Sequence, residues 1–266
     1  VYAHQVSSIP TTKSGEIEFD AFDEDLLAIQ ASNSETGILQ NNFRWAQQAW
    51  GQNAMVWVDA VQSAGKFGTN LNDLGADFLM LSAHKLGGPK GVGALCLKLG
   101  VEVNASITGG GQEEGRRSGT ENIIGIAGFG AAAEAADRDQ KAGKWDALYD
   151  LRNAMEARIA DAAPEVIIVG QDMPRLPNTS CFAVPGWKGE TQVMQMDLAG
   201  FAISAGSACS SGKVKASRVL KAMGYDDITA SSAVRVSIGP TTTEQEVMSF
   251  ADAWIKAYKK FAAKAA

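Results

Sequence analysis

Three polar residues at the end of an apolar run are the first candidates for chemistry. The run Phe78–Leu81 has the composition of a buried strand, and Ser82, His84 and Lys85 follow it directly, ahead of a loop rich in glycine and proline. A lysine that is partly removed from water loses its proton readily and can bond covalently to an aldehyde. The pattern is typical of a lysine that holds a phosphorylated aldehyde cofactor. An ordinary solvated lysine after an ordinary strand fits the spacing equally well.

A second candidate group ends the preceding apolar run. Asp59 closes the segment Met55–Val58, and Gln62 lies three residues further along. Pyridoxal phosphate needs a lysine for covalent attachment, an acid that keeps its pyridine nitrogen protonated, and donors for its phosphate. Asp59 suits the acid, Gln62 suits a contact with the ring hydroxyl, and His84 suits the phosphate. A turn aspartate, a surface glutamine and a structural histidine are the alternatives, but the conjunction favours pyridoxal phosphate.

Cys209 is the candidate nucleophile. It lies in a short segment of glycine, serine and alanine, a small polar setting that suits an accessible thiol. Cys96 and Cys181 lie inside apolar runs and are interpreted as inert core thiols. Because the three cysteines are odd in number and lack CxxC spacing, neither a disulfide framework nor a zinc site is predicted.

Two further segments are candidates for binding anions. Arg235 stands in an otherwise apolar run, where an arginine is unfavourable unless it is paired. It fits a two-pronged contact to an amino-acid carboxylate or, as well, a structural ion pair. The glycine-dense segment 109–120 would let backbone N–H groups approach a phosphate, although a flexible surface connection has the same composition.

Composition limits the possible partners and compartments. The net charge of −6 argues mildly against nucleic-acid binding, and 45% hydrophobic residues are enough for a substantial core. No apolar run reaches the ~18 residues that a membrane helix needs. Membrane association is therefore not expected. Because no disulfide framework is predicted from the three cysteines, a reducing, cytoplasmic compartment is expected.

Alternating helical and apolar segments predict an α/β protein with a mixed, mostly parallel sheet flanked by helices. A change of composition near residue 140 predicts a large domain over 1–140 and a smaller C-terminal α/β domain over 141–266. We also expect a short acidic helix over Phe19–Ile29 and a capping box of Thr241 with Glu244 before the last helix. Phe250, Trp254 and Tyr258 recur every four residues, which predicts core packing.

The motifs together resemble those of cysteine desulfurases of the NifS/IscS kind, which are class V aminotransferase-like enzymes of pyridoxal-phosphate fold type I. The matching motifs run in the family's order along almost the whole chain: Asn33-x-Glu-Thr-Gly, Asp59-Ala-Val-Gln62-Ser, Ser82-Ala-His84-Lys85 before Gly-Pro-Lys-Gly, Arg117-Ser-Gly-Thr120, Gly-Ser-Ala-Cys209-Ser-Ser-Gly and Val-Arg235-Val-Ser-Ile-Gly.

The resemblance implies a role for each matched residue. Lys85 would carry pyridoxal 5'-phosphate, Asp59 would pair with the pyridinium, and Gln62 would contact the ring oxygen. Ser82 and His84 would hold the phosphate, and Thr120 would reach the phosphate of the other subunit of a homodimer. Asn33 and Arg235 would orient the carboxylate of L-cysteine, and Asn33 would also lie against the cofactor. Cys209 would take the sulfur as a persulfide, release alanine and pass the sulfur to an acceptor such as an iron–sulfur scaffold protein.

One departure from the family concerns the upstream part. Members carry a phosphate loop and a cofactor-stacking histidine before the Asn-x-Glu motif, and the chain as given begins after both. Within the enzyme class, the alternative is a selenocysteine lyase or another class V enzyme. The departure adds a second alternative, a catalytically silent desulfurase fragment that only docks partners.

Overall fold

The computed structural model describes residues 5–18, 23–206 and 216–265, so Cys209 lies outside the described residues. The chain forms two compact units. The described residues of the first unit are 5–9, 23–31 and 41–142, and those of the second are 10–18, 32–40, 143–206 and 216–265.

The first unit is built on a four-stranded mixed sheet. Its elements, within the described part of the chain, are β1 (Leu26–Gln30), α1 (Asn42–Trp50), β2 (Met55–Asp59), β3 (Phe78–Ser82), β4 (Gly93–Leu97) and α2 (Ile123–Lys141). The strands lie in the order β1-β2-β3-β4. β1 with β2 and β2 with β3 are parallel, and β3 with β4 is antiparallel. The predicted mixed, mostly parallel sheet is confirmed.

β2 and β3 form from the apolar runs that predicted them. Val56 and Val58 point to one face of the sheet and are fully buried, as is most of Leu79 on the neighbouring strand. β-branched and apolar residues favour a buried pleated surface. Both strands end on a polar residue, which places Asp59 and Ser82 at the same edge of the sheet because the strands run in parallel.

The expected helix over Phe19–Ile29 is wrong for its C-terminal part, where β1 forms instead. Leu27 and Ile29 are buried, and their neighbours Leu26, Ala28 and Gln30 are exposed. This alternation has the period of two that belongs to a strand. Parallel pairing with β2 buries Leu27 opposite Val56, and the tertiary contact outweighs the helical propensity of the segment.

The second unit combines an antiparallel sheet with helices. Its described elements are α3 (Lys144–Ala162), β5 (Ile167–Ile168), β6 (Thr179–Ala183), α4 (Gly189–Leu198), β7 (Ser204–Ala205), α5 (Arg218–Ala222), α6 (Asp227–Ser232), β8 (Ala233–Ser237) and α7 (Glu244–Ala265). The strand order is β5-β6-β8-β7, and each neighbouring pair is antiparallel. α3 and α4 both pack against α7.

The aromatic stripe of α7 is core, as predicted. Phe250, Trp254 and Tyr258 are 5%, 0% and 7% exposed. The indole Nε1 of Trp254 donates to Oε1 of Gln192 at 3.0 Å, and the Gln192 amide donates to two backbone carbonyls. The Trp254 indole and the Gln192 amide are thus both paired, as a low-dielectric interior requires.

The capping box of α7 lies two residues beyond its predicted place. Thr243 Oγ1 accepts from the Glu246 N–H at 3.3 Å, and Glu246 Oε2 accepts from the Thr243 N–H at 2.8 Å. Thr242 Oγ1 instead accepts from the Gly239 N–H at 2.9 Å. Three consecutive threonines offered several registers, and the turn after β8 selects the third.

Two short segments before residue 140 belong to the second unit, whereas the predicted domain boundary assigned them to the first domain. Segment 32–40 is held there by backbone hydrogen bonds: Leu39 N–H donates to the Pro174 carbonyl and Leu176 N–H to the Gly37 carbonyl, both at 2.8 Å. With these segments the second unit contains more residues of this chain than the first. Among the described helices, none combines the length and the apolar character needed to cross a bilayer.

Candidate active site

The first unit brings an acid and an amine to one edge of its sheet. Asp59 ends β2, and Ser82 ends β3, with Asp59 opposite Met80 in the parallel register. Ala83–Lys85 then form a single 3-10 turn, so His84 and Lys85 leave the sheet at this edge. In α/β sheets, ligands bind beyond the carboxyl ends of parallel strands. Within this unit, Asp59 and the segment Ser82–Lys85 therefore lie at the same edge of the sheet, at the strand ends where the sequence predicted them.

Asp59 is held by its own turn. Its Oδ1 accepts from the Val61 N–H at 2.9 Å, and its backbone carbonyl accepts from the Ala31 N–H at 2.8 Å. The side chain is half-buried. One carboxylate oxygen thus fixes the carboxyl group, and the group stays acceptor-only when it is ionised.

Ser82 and His84 are directly paired. The Ser82 hydroxyl and Nδ1 of His84 are 2.8 Å apart, and either atom can donate, depending on the histidine tautomer. Ser82 is half-buried and His84 is exposed. Whichever group donates within the pair, the other keeps a donor for an anion: the His84 Nε2–H when Ser82 donates, or the Ser82 hydroxyl when Nδ1 donates.

Lys85 is exposed among the described residues. The partial removal from water that sequence reasoning invoked for this amine is therefore not supplied by them. The loop that follows packs closely on α2, since a Cβ added at Gly88 would lie 3.1 Å from the Ala132 Cβ and from the Ala83 carbonyl oxygen. This close approach leaves little room for a side chain at position 88, just after the lysine, so glycine suits the position.

Gln62 and Thr120 also lie in the first unit. Gln62 is half-buried, and its backbone carbonyl accepts from Nζ of Lys66 at 2.9 Å. Thr120 is exposed and follows Ser118, a buried residue whose hydroxyl donates to the Gly110 carbonyl at 2.7 Å. The predicted flexible or anion-contacting loop is thus pinned at Ser118 while its threonine faces outward.

Asn33 lies in the second unit and has a structural task that sequence reasoning missed. Its Oδ1 accepts from the N–H groups of Glu35 and Thr36, at 2.9 and 3.0 Å. The backbone closes the same turn, with the Gly37 N–H donating to the Asn33 carbonyl at 3.0 Å. The signal was present in the sequence, because asparagine ahead of a glycine commonly forms such a turn.

Arg235 lies on β8 and is bonded within the second unit. Nη1 donates to the Ser34 carbonyl at 2.9 Å, and Nη2 donates to the Ser204 hydroxyl at 3.3 Å. Nε is buried and has no hydrogen-bond partner among the described residues. Both of these partners are neutral oxygens, whereas the structural ion pair considered from the sequence would need a carboxylate.

Two of the three thiols lie within the described residues. Burial raises the pKa of the Cys181 thiol to about 12, and the Glu35 carboxylate raises it further while Arg235 lowers it. Burial also raises the pKa of Cys96, which is half-buried on β4. Both shifts disfavour the thiolate, the reactive form, and so support the interpretation of these residues as inert.

The fold and the lysine-bearing strand end define an α/β protein of pyridoxal-phosphate fold type I. A NifS-like protein from Rickettsia africae has the same fold, with a TM-score of 0.87 and 29% identity over 97% of this chain and 71% of its own. The aminotransferase class-V family model matches residues 3–250. The chain belongs to the aminotransferase class-V family.

Its relatives include proteins named cysteine desulfurase, which confirms the resemblance drawn from the motifs. One from Sinorhizobium fredii is 38% identical over 91% of this chain and 64% of its own length. Another, from Cereibacter sphaeroides, is 39% identical over 91% of this chain and 63% of its own length. The chain therefore spans less than two thirds of these relatives.

The groups at the edge of the first sheet fit pyridoxal phosphate chemically. An acid, a hydroxyl paired with an imidazole, and a primary amine stand at the ends of adjacent parallel strands. These are the group types that a pyridinium, a phosphate and an aldehyde require.

Proposed function

We propose that the chain carries the lysine, the acid and the nucleophile of a pyridoxal-phosphate-dependent cysteine desulfurase. The observation that carries the proposal is the register of β2 and β3, which puts Asp59 and the Ser82–Lys85 segment at one edge of a parallel sheet. The motif order and the names of the relatives support the same function.

The first unit would hold the cofactor. Lys85 would bind it covalently through Nζ, Ser82 and His84 would donate to its phosphate, and Asp59 would keep its pyridine nitrogen protonated. When bound, pyridoxal phosphate supplies an electron sink for the charge that develops when the substrate loses its Cα proton. Gln62 would contact the ring oxygen, and Thr120 would serve the phosphate of a second subunit in a homodimer.

The second unit would recognise and cleave the substrate. Arg235 would bind the carboxylate of L-cysteine, and Asn33 would contribute from Nδ2, since Oδ1 accepts two backbone N–H groups. The thiolate of Cys209 would attack the substrate sulfur. A sulfur–sulfur bond forms, the carbon–sulfur bond breaks, and the electron pair stays on carbon, which takes up a proton to give alanine.

Persulfide sulfur on Cys209 needs a thiol or metal-cluster acceptor. We therefore propose a sulfur-acceptor or iron–sulfur scaffold protein as the partner, a homodimer as the assembly, and the cytoplasm as the compartment. The partner and the assembly are proposed from the motifs and the relatives, and the compartment is proposed from the cysteine pattern, which predicts no disulfide framework.

The test is a paired measurement on the chain. Purified protein is supplied with pyridoxal phosphate and divided into two portions. One portion is reduced with borohydride and mapped by mass spectrometry, and in the other, unreduced portion alanine and sulfide are quantified after addition of L-cysteine with a reductant. We expect the cofactor mass on Lys85 and alanine equal to sulfide. Cys209→Ser should keep the cofactor and lose sulfide release, and Cys181→Ser is the matched control that keeps both.

Four outcomes decide the proposal. A cofactor adduct at Lys85 with Cys209-dependent alanine release supports the desulfurase. A Cys209→Ser protein that still forms persulfide contradicts the mechanism, and faster release from selenocysteine than from cysteine favours a selenocysteine lyase. A chain that binds no cofactor is the silent fragment.

A further inference from the structure

The turn from Asn33 to Gly37 is a compact unit with two partners elsewhere in the second unit, Ser217 and Arg235. Its internal bonds join Asn33 Oδ1 to the N–H groups of Glu35 and Thr36, and the Gly37 N–H to the Asn33 carbonyl. Gly37 has φ +73, a conformation that favours glycine. With three bonds closing five residues, a shift at one side chain displaces the whole turn.

The first partner of the turn is Ser217, whose position is fixed by its other hydrogen bonds. Its hydroxyl donates to Oε2 of Glu35 at 2.5 Å and accepts from the Leu220 N–H at 3.1 Å, capping α5. Its own N–H donates to the Ala230 carbonyl at 3.0 Å, and the residue is fully buried. The Glu35 carboxylate therefore meets a hydroxyl whose position is already set by two other bonds. A hydrogen bond to a carboxylate is among the stronger kinds.

The second partner of the turn is Arg235, which the turn holds. The carbonyl that accepts from its Nη1 belongs to Ser34, the residue directly before Glu35. The group that anchors the turn and the group that holds the guanidinium therefore belong to adjacent residues, Glu35 and Ser34. In the antiparallel register of β6 and β8, Arg235 also stands opposite Cys181.

We propose that Glu35, through Ser217, is a positioning residue for Arg235. Its contact fixes the turn, the turn fixes the Ser34 carbonyl, and the carbonyl fixes the plane of the guanidinium. A two-pronged contact to a carboxylate depends on that plane, so release of Glu35 weakens the binding of an amino-acid carboxylate. The proposal rests on the function proposed above, in which Arg235 binds the substrate carboxylate.

The experiment compares Glu35→Ala, Ser217→Ala and Ser217→Thr with the parent chain. Four quantities are measured: KM and kcat for L-cysteine, the dissociation constant of L-alanine by calorimetry, and the melting temperature. Glu35→Ala and Ser217→Ala should each raise KM and the dissociation constant about tenfold, the loss expected for one charge-assisted hydrogen bond. kcat should stay within about twofold, because the reacting groups are unchanged. Ser217→Thr keeps the hydroxyl that Ser217→Ala loses, and it should bind L-alanine as tightly as the parent chain does.

Glu246→Gln is the matched control. Glu246 also accepts from a hydroxyl, that of Thr243 at 2.9 Å, but it does so in the capping box of α7. This variant should lower the melting temperature and leave KM unchanged, which is the pattern of a purely structural contact. The Glu35 and Ser217 effects should also fail to add in the double variant, because both remove the same bond.

The outcomes separate the two proposals. If the parent chain neither binds L-alanine nor forms it from L-cysteine, the proposed function fails and the positioning role fails with it. If the parent is active and Arg235→Lys raises KM, the function stands. In that case, an unchanged KM in Glu35→Ala, or a KM in Ser217→Thr as high as in Ser217→Ala, overturns the positioning role alone.

Discussion

Glu156 and Arg175 form a two-pronged ion pair inside the second unit, with Nη1–Oε1 and Nη2–Oε2 distances of 2.7 and 2.8 Å. Their side chains are 10% and 3% exposed. Arg175 also forms a β-bridge with Ile38, in the segment that carries Asn33. The pair thus holds the backbone on which part of the candidate substrate site is built.

Removing one partner of this pair should be strongly destabilising. Glu156→Gln leaves a buried guanidinium without its counter-charge, which costs about 3–5 kcal/mol in the free energy of unfolding. Urea denaturation followed by circular dichroism measures the loss. Asp137→Asn, which breaks an exposed pair with Lys141, should cost less than about 1 kcal/mol. A loss that small in Glu156→Gln would contradict the prediction.

The Ser82–His84 contact predicts a dependence of cofactor affinity on either residue. His84→Ala removes a proposed phosphate donor and leaves Ser82 without its 2.8 Å partner. We expect pyridoxal-phosphate binding to weaken about tenfold in His84→Ala and less in Ser82→Ala, since one hydrogen bond to a charged group is at stake. Fluorescence titration of cofactor-free protein gives the dissociation constants. Equal affinity in the parent and both variants would remove these residues from the phosphate site.

Tyr258 should make stability depend on alkaline pH. Its hydroxyl donates to Glu165 Oε1 at 2.6 Å, and this bond raises the pKa of Tyr258 to about 12. An unfolded tyrosine has a pKa of about 10, so the bond stabilises the fold fully below that pH. Its contribution falls as the pH rises through about 12. The melting temperature should therefore fall more steeply between these pH values in the parent than in Tyr258→Phe. The exposed Tyr149, changed to Phe, should leave the slope unaltered.

Cys181 should resist alkylation in the folded protein. The thiol is 2% exposed, and burial raises its pKa to about 12, so almost no thiolate exists at neutral pH. Iodoacetamide treatment followed by peptide mass spectrometry should leave Cys181 unmodified until urea unfolds the chain. Labelling of Cys181 at the same rate with and without urea would show that β6 opens readily.

The parts of the fold that could be predicted from sequence are those set by local pattern. The apolar runs ending at Asp59 and Ser82 predicted β2 and β3, and the four-residue recurrence of Phe250, Trp254 and Tyr258 predicted a buried helix face. Each is decided by residues within one element. β1 was misread because its buried and exposed residues alternate in a segment whose acidic start suggested a helix.

The parts that could not be predicted depend on residues far apart in the chain. Glu35 and Ser217 are 182 positions apart, and Ser34 and Arg235 are 201 apart. No local pattern brings such pairs together, since packing of the turn against β8 and α5 decides them. For the same reason, Asn33 was predicted only as a ligand contact, without the turn that it stabilises.

The second unit takes residues 10–18 and 32–40 from early in the chain and the rest from beyond residue 142. On a ribosome, the first unit therefore has all of its residues before the second has acquired most of its own. Since domains commonly fold as they emerge, the Asn33 turn must wait unpaired until Ser217 and Arg235 have been synthesised. A gene cut near codon 143 would separate that turn from both of its anchors, so the two units are poor candidates for separate expression.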